Sequence, residues 1–428
     1  MKTIRLLLNT CILMLCISFN ACQNSADTAE APKDNAESKE AAIQAQAQKL
    51  AQEYIIVDGH VDLPYRLTVQ NFQLAREYLG IPVETDDGDF DYKRSKEGGL
   101  DAPFMSIYIP ASYQKTGGAK EFADGLIDMV TAIADSIPDK FTIANTPAEV
   151  AAIKKAGKIA LPMGMENGAP IEDDLANVQY FRDRGISYVT LTHSKNNLIC
   201  DSSYDTIRLW NGLSDFGRDV VAEMNRVGIM VDISHVSDST FYQVMKVSKA
   251  PVIASHSSAR KFVPDFERNM SDDMIAKMGE NDGVIMINFG STFVDGASRD
   301  SYTALGDSLK QILADKGLAP DDSLAKVMEE QFEKDNPILF ADVERVADHI
   351  DLVVKLAGVE HVGFGSDYDG VGNTLPTGLK DVSDYPNLLA TLLKRGYSPE
   401  DIEKICYGNI FRVWNKVLEI SKDLKAKS

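Results

Sequence analysis

Residues Gly228 to Arg268 read GIMVDISHVSDSTFYQVMKVSKAPVIASHSSARKFVPDFER. Two short apolar runs, Ile229–Ile233 and Pro251–Ala254, have the length and composition of buried strands. Asp238–Ser248 between them is long enough for a crossover helix. Strand, helix and strand over this distance make a βαβ unit, whose two strands are parallel neighbours. Each run ends in Ser-His, at Ser234-His235 and at Ser255-His256. Both imidazoles are therefore expected at one end of the sheet, on adjacent strands, where they can share a metal ion. The alternative is a pair of core histidines bonded to backbone. The chain has only six histidines, and finding two at matching strand ends favours the ligand reading.

The same pattern continues on both sides. Ile55-Ile56-Val57 runs into Asp58-Gly59-His60-Val61-Asp62, and the alternation of an extended segment points His60 and Asp62 the same way. Phe104–Ile109 is a second strand. Ile159–Met165 delivers Glu166, and Ile186–Leu191 delivers His193. Gly283–Asn288 is the seventh run, and His361–Ser366 is the eighth, delivering Asp367. Between them lie amphipathic segments, among them Leu213–Val227 capped by Ser214 and Asp342–Leu356. Eight apolar runs separated by helices predict a (β/α)8 TIM-like barrel. His60, Asp62, Glu166, His193, His235, His256 and Asp367 all fall at or just beyond C-terminal strand ends, the face on which such barrels carry active sites. A doubly wound sheet would not converge six strands on one spot, and no GxGxxG follows a strand.

The flanks divide the chain further. Lys2 and Arg5 precede an apolar run, Leu6–Phe19, that is short for a membrane span and reads as a signal peptide over residues 1–21. Ala21-Cys22 resembles a bacterial lipoprotein processing site, with Cys22 as the lipidated residue. An exported chain, lipid-anchored to a bacterial cell envelope, is expected. Residues 22–50 are rich in Ala, Gln, Glu and Lys and read as a polar tether. The barrel is expected over 51–428, with a helical insertion at about 295–340. Cys200 and Cys406 are the remaining cysteines, and no CxxC suggests a cysteine zinc site. A net charge of −20 argues against nucleic acid as a partner.

The polar set suits metal-assisted hydrolysis. Five candidate ligands, His60, Asp62, Glu166, His235 and His256, exceed the three a single catalytic zinc needs, and suit two metals. Glu166 can bridge because a carboxylate offers two oxygens. Two close metals would share a hydroxide acidic enough to exist at neutral pH, a nucleophile for an amide carbonyl. His193 could stabilise the oxyanion, and Asp367 could move the proton from water to the leaving amine. Structural roles are the alternatives for these two, and His349 and His361 are read as structural.

At these residues the chain resembles the membrane dipeptidase (renal dipeptidase) family of the amidohydrolase superfamily. The motifs are DGHVD, KEGG, GMENG, YVTLTHS, GLSDFG, EMNRVGIMVDISHVS, PVIASHSSAR, RN, VGFGSDYDG and GNIFRV, spread from about Ile55 to Val417. The resemblance implies a barrel with two Zn2+ per chain bridged by Glu166. It implies His60, Asp62 and Glu166 on one zinc, and Glu166, His235 and His256 on the other. It implies His193 on the substrate carbonyl, Arg268 on the substrate carboxylate and Asp367 as acid/base. Taken alone, Arg268 reads as a surface charge. Ser194–Asp201 and the insertion after Asn288 depart from the family form. The expected activity is hydrolysis of small dipeptides, L-L and L-D, and homodimerisation is left open. The rival is an N-acyl amino acid or lactone hydrolase on the same barrel. A peptide-binding lipoprotein without activity would be marked by a broken ligand set, and here every position is filled.

Overall fold

The computed structural model describes residues 33–69, 82–320 and 322–427. Ten strands form: β1 (Ile56–Val61), β2 (Leu100–Tyr108), β3 (Phe141–Ile143), β4 (Ile159–Leu161), β5 (Met163–Glu166), β6 (Ile186–Thr190), β7 (Met230–Asp232), β8 (Ile253–Ser257), β9 (Val284–Ile287) and β10 (Val362–Phe364). Eight of them close a parallel barrel in the order β1-β2-β5-β6-β7-β8-β9-β10, with β10 pairing back to β1. The expected (β/α)8 barrel is therefore the fold. The βαβ unit that opens the sequence is β7, helix Asp238–Val247 and β8, paired in parallel.

One strand divides differently from expectation. The run Ile159–Met165 splits at Pro162, which has no N–H to give a sheet. Ile159–Leu161 leaves the barrel and pairs with Phe141–Ile143 in a separate two-stranded sheet. Met163–Glu166 stays in the barrel between β2 and β6.

Glycines give the barrel interior room for large side chains. A Cβ on Gly164 would lie 1.9 Å from the Tyr188 ring, so the absence of a side chain there lets Tyr188 cross the barrel. The Tyr188 hydroxyl reaches Gly59 O at 2.9 Å. Buried Asp58 is held by the Ser366 N–H and the Tyr385 hydroxyl, which ties β1 to the segment after β10.

The compact unit begins at Ala42, inside helix Lys33–Glu53. Ala47, Leu50 and Ala51 of this helix are buried, and Gln48 donates to Glu97 O at 3.0 Å. The stretch read as a tether over 22–50 thus ends early. Ala47, Leu50 and Ala51, spaced i, i+3 and i+4, form a narrow packing stripe that composition alone presents as solvated chain. The signal segment and Cys22 lie outside the described residues. Cys200 and Cys406 are both buried and unpaired. Among the described residues no helix is long and apolar enough to cross a membrane.

The insertion folds as helices Gly296–Asp315 and Ser323–Asp335. They share a small core of Leu309, Leu313 and Ala325, separate from the barrel's. Asp295 caps the first helix, accepting from Ser298 N at 3.0 Å.

His349 is structural, as expected. Its Nδ1 accepts from the Ala259 N–H at 2.9 Å, and its Nε2 donates to Val294 O at 2.8 Å, so the ring is neutral. Burial pushes its pKa down to about 4. A folded-state value below the unfolded one favours the neutral form. That stability is fully present above pH ~6.5 and is lost as pH falls towards 4. The stability gap between the native chain and His349→Gln should shrink by about 3 kcal/mol between pH 7 and pH 4. Denaturant unfolding of both proteins at the two pH values measures it, and a constant gap would refute the assignment.

Candidate active site

The C-terminal mouth of the barrel gathers the polar set around Glu166 at the end of β5. His235 Nε2 and His256 Nε2 lie 3.0 and 3.2 Å from Glu166 Oε1, and His60 Nε2 lies 3.5 Å from Oε2. Asp62 Oδ2 is 3.4 Å from His60 Nε2. His193 stands further off, its Nε2 3.7 Å from Glu166 Oε1, with its ring edge-on to Tyr108. Three overlapping groups have ligand atoms within 4.8 Å of one another: His60, Glu166 and His256; Glu166, His193 and His235; His60, Asp62 and Asp367.

Hydrogen bonds behind the rings decide which nitrogen faces inward. Tyr188 gives its proton to Gly59 O, so its oxygen accepts from His60 Nδ1–H at 2.8 Å. Ser255 Oγ gives its proton to Asp232 Oδ2 at 2.6 Å and accepts from His256 Nδ1–H at 2.7 Å. Both Nε2 lone pairs then point into the site. His235 Nε2 and His256 Nε2 are only 2.8 Å apart, a spacing that sets lone pairs against each other unless positive charge lies between them. His60 Nε2, Asp62 Oδ1 and His235 Nδ1 are buried without a hydrogen-bond partner. Buried orphan donors and converging lone pairs around a carboxylate are what a divalent metal centre requires, and this donor set fits one.

The electrostatics agree. Burial, then the charge of nearby Arg268 or His60, pushes His235 and His256 well below the ordinary imidazole range. Burial also lowers His193. Glu166 would be raised by burial, but the imidazoles around it, His60 and His193 foremost, hold it well below the carboxylate range. For His60, burial acts downward and is outweighed by Tyr188, Glu166 and Asp62, leaving its pKa well raised. A site of ionised carboxylates draws a proton to the place where a cation would sit.

Asp367 follows β10 in a left-handed conformation (φ 64°). Burial raises its pKa to about 7. Its Oδ2 accepts from Asn288 Nδ2 at 2.7 Å, and Asn288 Oδ1 is in turn fixed by Gly290 N–H at 2.8 Å. The loop after Asp367 is pressed onto the site: a Cβ on Gly370 would lie 2.2 Å from Asp62 Oδ2 and 2.3 Å from Asp367 Oδ1.

Arg268 is no surface charge. It is 3% exposed, donating to Ser257 Oγ and His256 O at 2.8 Å each. Its Nε is buried without a partner. Among the described residues no carboxylate comes within ion-pair distance of it. Arginine is mostly exposed in folded proteins, which is why sequence patterning misplaces this one in the loop Asp265–Arg268. Sequence reasoning also missed Tyr188, Asp232, Ser255, Gly370 and Asn288. Asn288 carried a usable signal: it is a polar residue ending the apolar run GVIMI, as Glu166 ends its own. The others act behind the ligands and have no pattern of their own.

A parallel barrel with this donor set at its C-terminal mouth defines a metal-dependent hydrolase. The family model for membrane dipeptidase (peptidase family M19) matches residues 44–428. The chain belongs to that family and is a metallo-dipeptidase. It is 33% identical to dipeptidase tcpJ of Claviceps purpurea over 380 residues, covering 86% of this chain and 78% of that protein. The probable dipeptidase PvdM of Pseudomonas aeruginosa superposes with a TM-score of 0.75 at 26% identity, covering 89% of this chain and 99% of that one. The structure of dipeptidase AC, a metallopeptidase of family M19, gives 0.68 at 26% identity, over 85% of this chain and 98% of the other.

Tyr188→Phe keeps the ring over Gly164 and removes the acceptor for His60 Nδ1–H. Metal retention should fall by roughly 10–100-fold with the fold intact. Chelator competition followed by metal analysis, with circular dichroism as the fold control, checks this.

Proposed function

We propose a dinuclear zinc dipeptidase that cleaves L-L and L-D dipeptides. His60, Asp62 and Glu166 would hold one ion, and Glu166, His235 and His256 the other. The observation that carries this is the division of labour at Glu166: one oxygen faces His60, the other faces His235 and His256. Ions bound there supply Lewis acidity, acidifying water and polarising the scissile carbonyl.

The protein's own groups do the rest. Arg268 is a buried guanidinium with no carboxylate at ion-pair distance among the described residues, an arrangement that costs free energy unless a ligand supplies one. Its planar fork suits the terminal carboxylate of a dipeptide. That contact would fix the substrate's length, since a longer peptide carries its carboxylate past the reach of the fork. Asp367 takes the proton of the attacking water and passes it to the leaving amine. Asn288 occupies Asp367 Oδ2, so the proton travels on Oδ1. His193 is neutral and the most exposed imidazole of the set, placed to donate to the carbonyl oxygen as charge develops. Export and a lipid on Cys22 belong to the same proposal, supported by Lys2, Arg5 and the apolar run before Ala21-Cys22.

Chelated protein reloaded with zinc should cleave L-Ala-L-Ala and L-Ala-D-Ala and leave a tripeptide and an N-acetylated dipeptide intact. Cleavage of the blocked peptide with the free ones untouched would favour the acyl-amino-acid hydrolase instead. Arg268→Ala should lower kcat/KM for dipeptides by roughly 30-fold or more, as expected for stranding one partner of a buried charge pair. Steady-state kinetics on the reloaded variant measure this, and an unchanged value would remove Arg268 from the substrate site.

A further inference from the structure

The insertion helix Gly296–Asp315 starts beside the active-site mouth. Its origin is anchored by Asp295, which caps the helix and takes Arg345 Nε at 3.1 Å. The first turn carries Arg299, whose guanidinium lies 3.5 Å from the centroid of the Phe266 ring. Phe266 meets Tyr204 at 6.0 Å and Phe293 at 5.8 Å between ring centroids. Phe293 backs Arg268, 5.6 Å from its guanidinium, and Tyr204 lies 5.9 Å from the His235 ring. Three loops, after β6, β8 and β9, thus build one aromatic wall that runs from Arg299 to Arg268 and the His235 edge of the site. The charges of Arg268, Arg299, Asp367 and Glu166 all act on the Tyr204 phenol, so both arginines lie within electrostatic reach of this wall.

Stacking occupies the flat face of a guanidinium and leaves its N–H edge free. Among the described residues, no acceptor and no carboxylate holds the Arg299 side chain. Arg345 pairs with Asp295, Arg395 with Asp351 and Arg260 with Asp238, whereas half-buried Arg182 makes no ion pair among the described residues and donates to Ile186 O at 3.4 Å. Arg299 shares its unpaired state with Arg268, at the other end of the same wall.

We propose that Arg299 binds a second carboxylate, on the side chain of the substrate's C-terminal residue, so that the enzyme prefers dipeptides ending in Asp or Glu. This rests on the dipeptidase reading, with Arg268 on the α-carboxylate. The two arginines then divide a dicarboxylate between them, one fork for each group.

The test is a comparison of kcat/KM for Ala-Glu, Ala-Gln, Ala-Lys and Ala-Ala with the zinc-loaded chain, in the C-terminal configuration better cleaved as Ala-Ala. Ala-Glu should exceed its isostere Ala-Gln by about tenfold or more, the worth of a charge-assisted hydrogen bond. Arg299→Gln should bring that ratio to about one, and Arg299→Glu should place Ala-Lys above Ala-Gln. Ratios within one preparation are insensitive to loss of folded protein, and a gained preference cannot come from misfolding. Equal rates on Ala-Glu and Ala-Gln in the native chain, or a ratio that survives Arg299→Gln, would overturn the inference and leave dipeptide hydrolysis standing. Failure to cleave even Ala-Ala would overturn the dipeptidase reading and this inference with it.

Discussion

The orientation of two imidazoles, His60 and His256, is the constraint on which this site depends. A histidine ring can turn either nitrogen towards a ligand, and nothing within the mouth itself settles the choice. It is settled one layer deeper. Tyr188 spans the barrel to hold the ring of His60, and a Ser255–Asp232 relay holds that of His256. Asp232 is fully buried and takes donors from Thr190, Ser234 and Ser255. A buried carboxylate is tolerable only with its acceptors filled, and here the filling also clips β6, β7 and β8 together. Barrel packing and ligand orientation are the same set of contacts.

The barrel was readable because each strand is a short apolar run closed by a polar residue, and parallel strands flanked by helices leave few other topologies. His60, Asp62, Glu166, His235, His256 and Asp367 were readable for the same reason: position at a strand end needs only the local pattern. Arg268 was not. It lies in a loop, where periodicity says nothing, and only resemblance to a family pointed to it. Pro162 was a missed local signal, since a proline inside an apolar run marks a break between strands. The packed body starts earlier than composition shows, because a narrow stripe such as Ala47, Leu50 and Ala51 looks the same in a tether and in a helix that packs closely. Tyr188, Asp232 and Gly370 depend on contacts between distant segments, which one sequence does not display.

Loops that follow three of the strands surround the centre. The segment after β6 supplies Tyr204 and the insertion after β9 supplies Arg299, and both meet on Phe266, with Tyr204 also against the His235 ring. Variation in a barrel enzyme is tolerated on βα loops because the strands beneath them carry the stability. The insertion has its own small core, separate from the barrel's.

His235 and Asp367 both stand in left-handed backbone, at φ 68° and 64°. Among residues with a side chain, Asn, Asp and His enter that region most readily. At position 235 that backbone disfavours a cysteine, and with it a thiolate donor. The backbone itself thus favours nitrogen and oxygen donors, which suit hard and borderline cations better than soft ones.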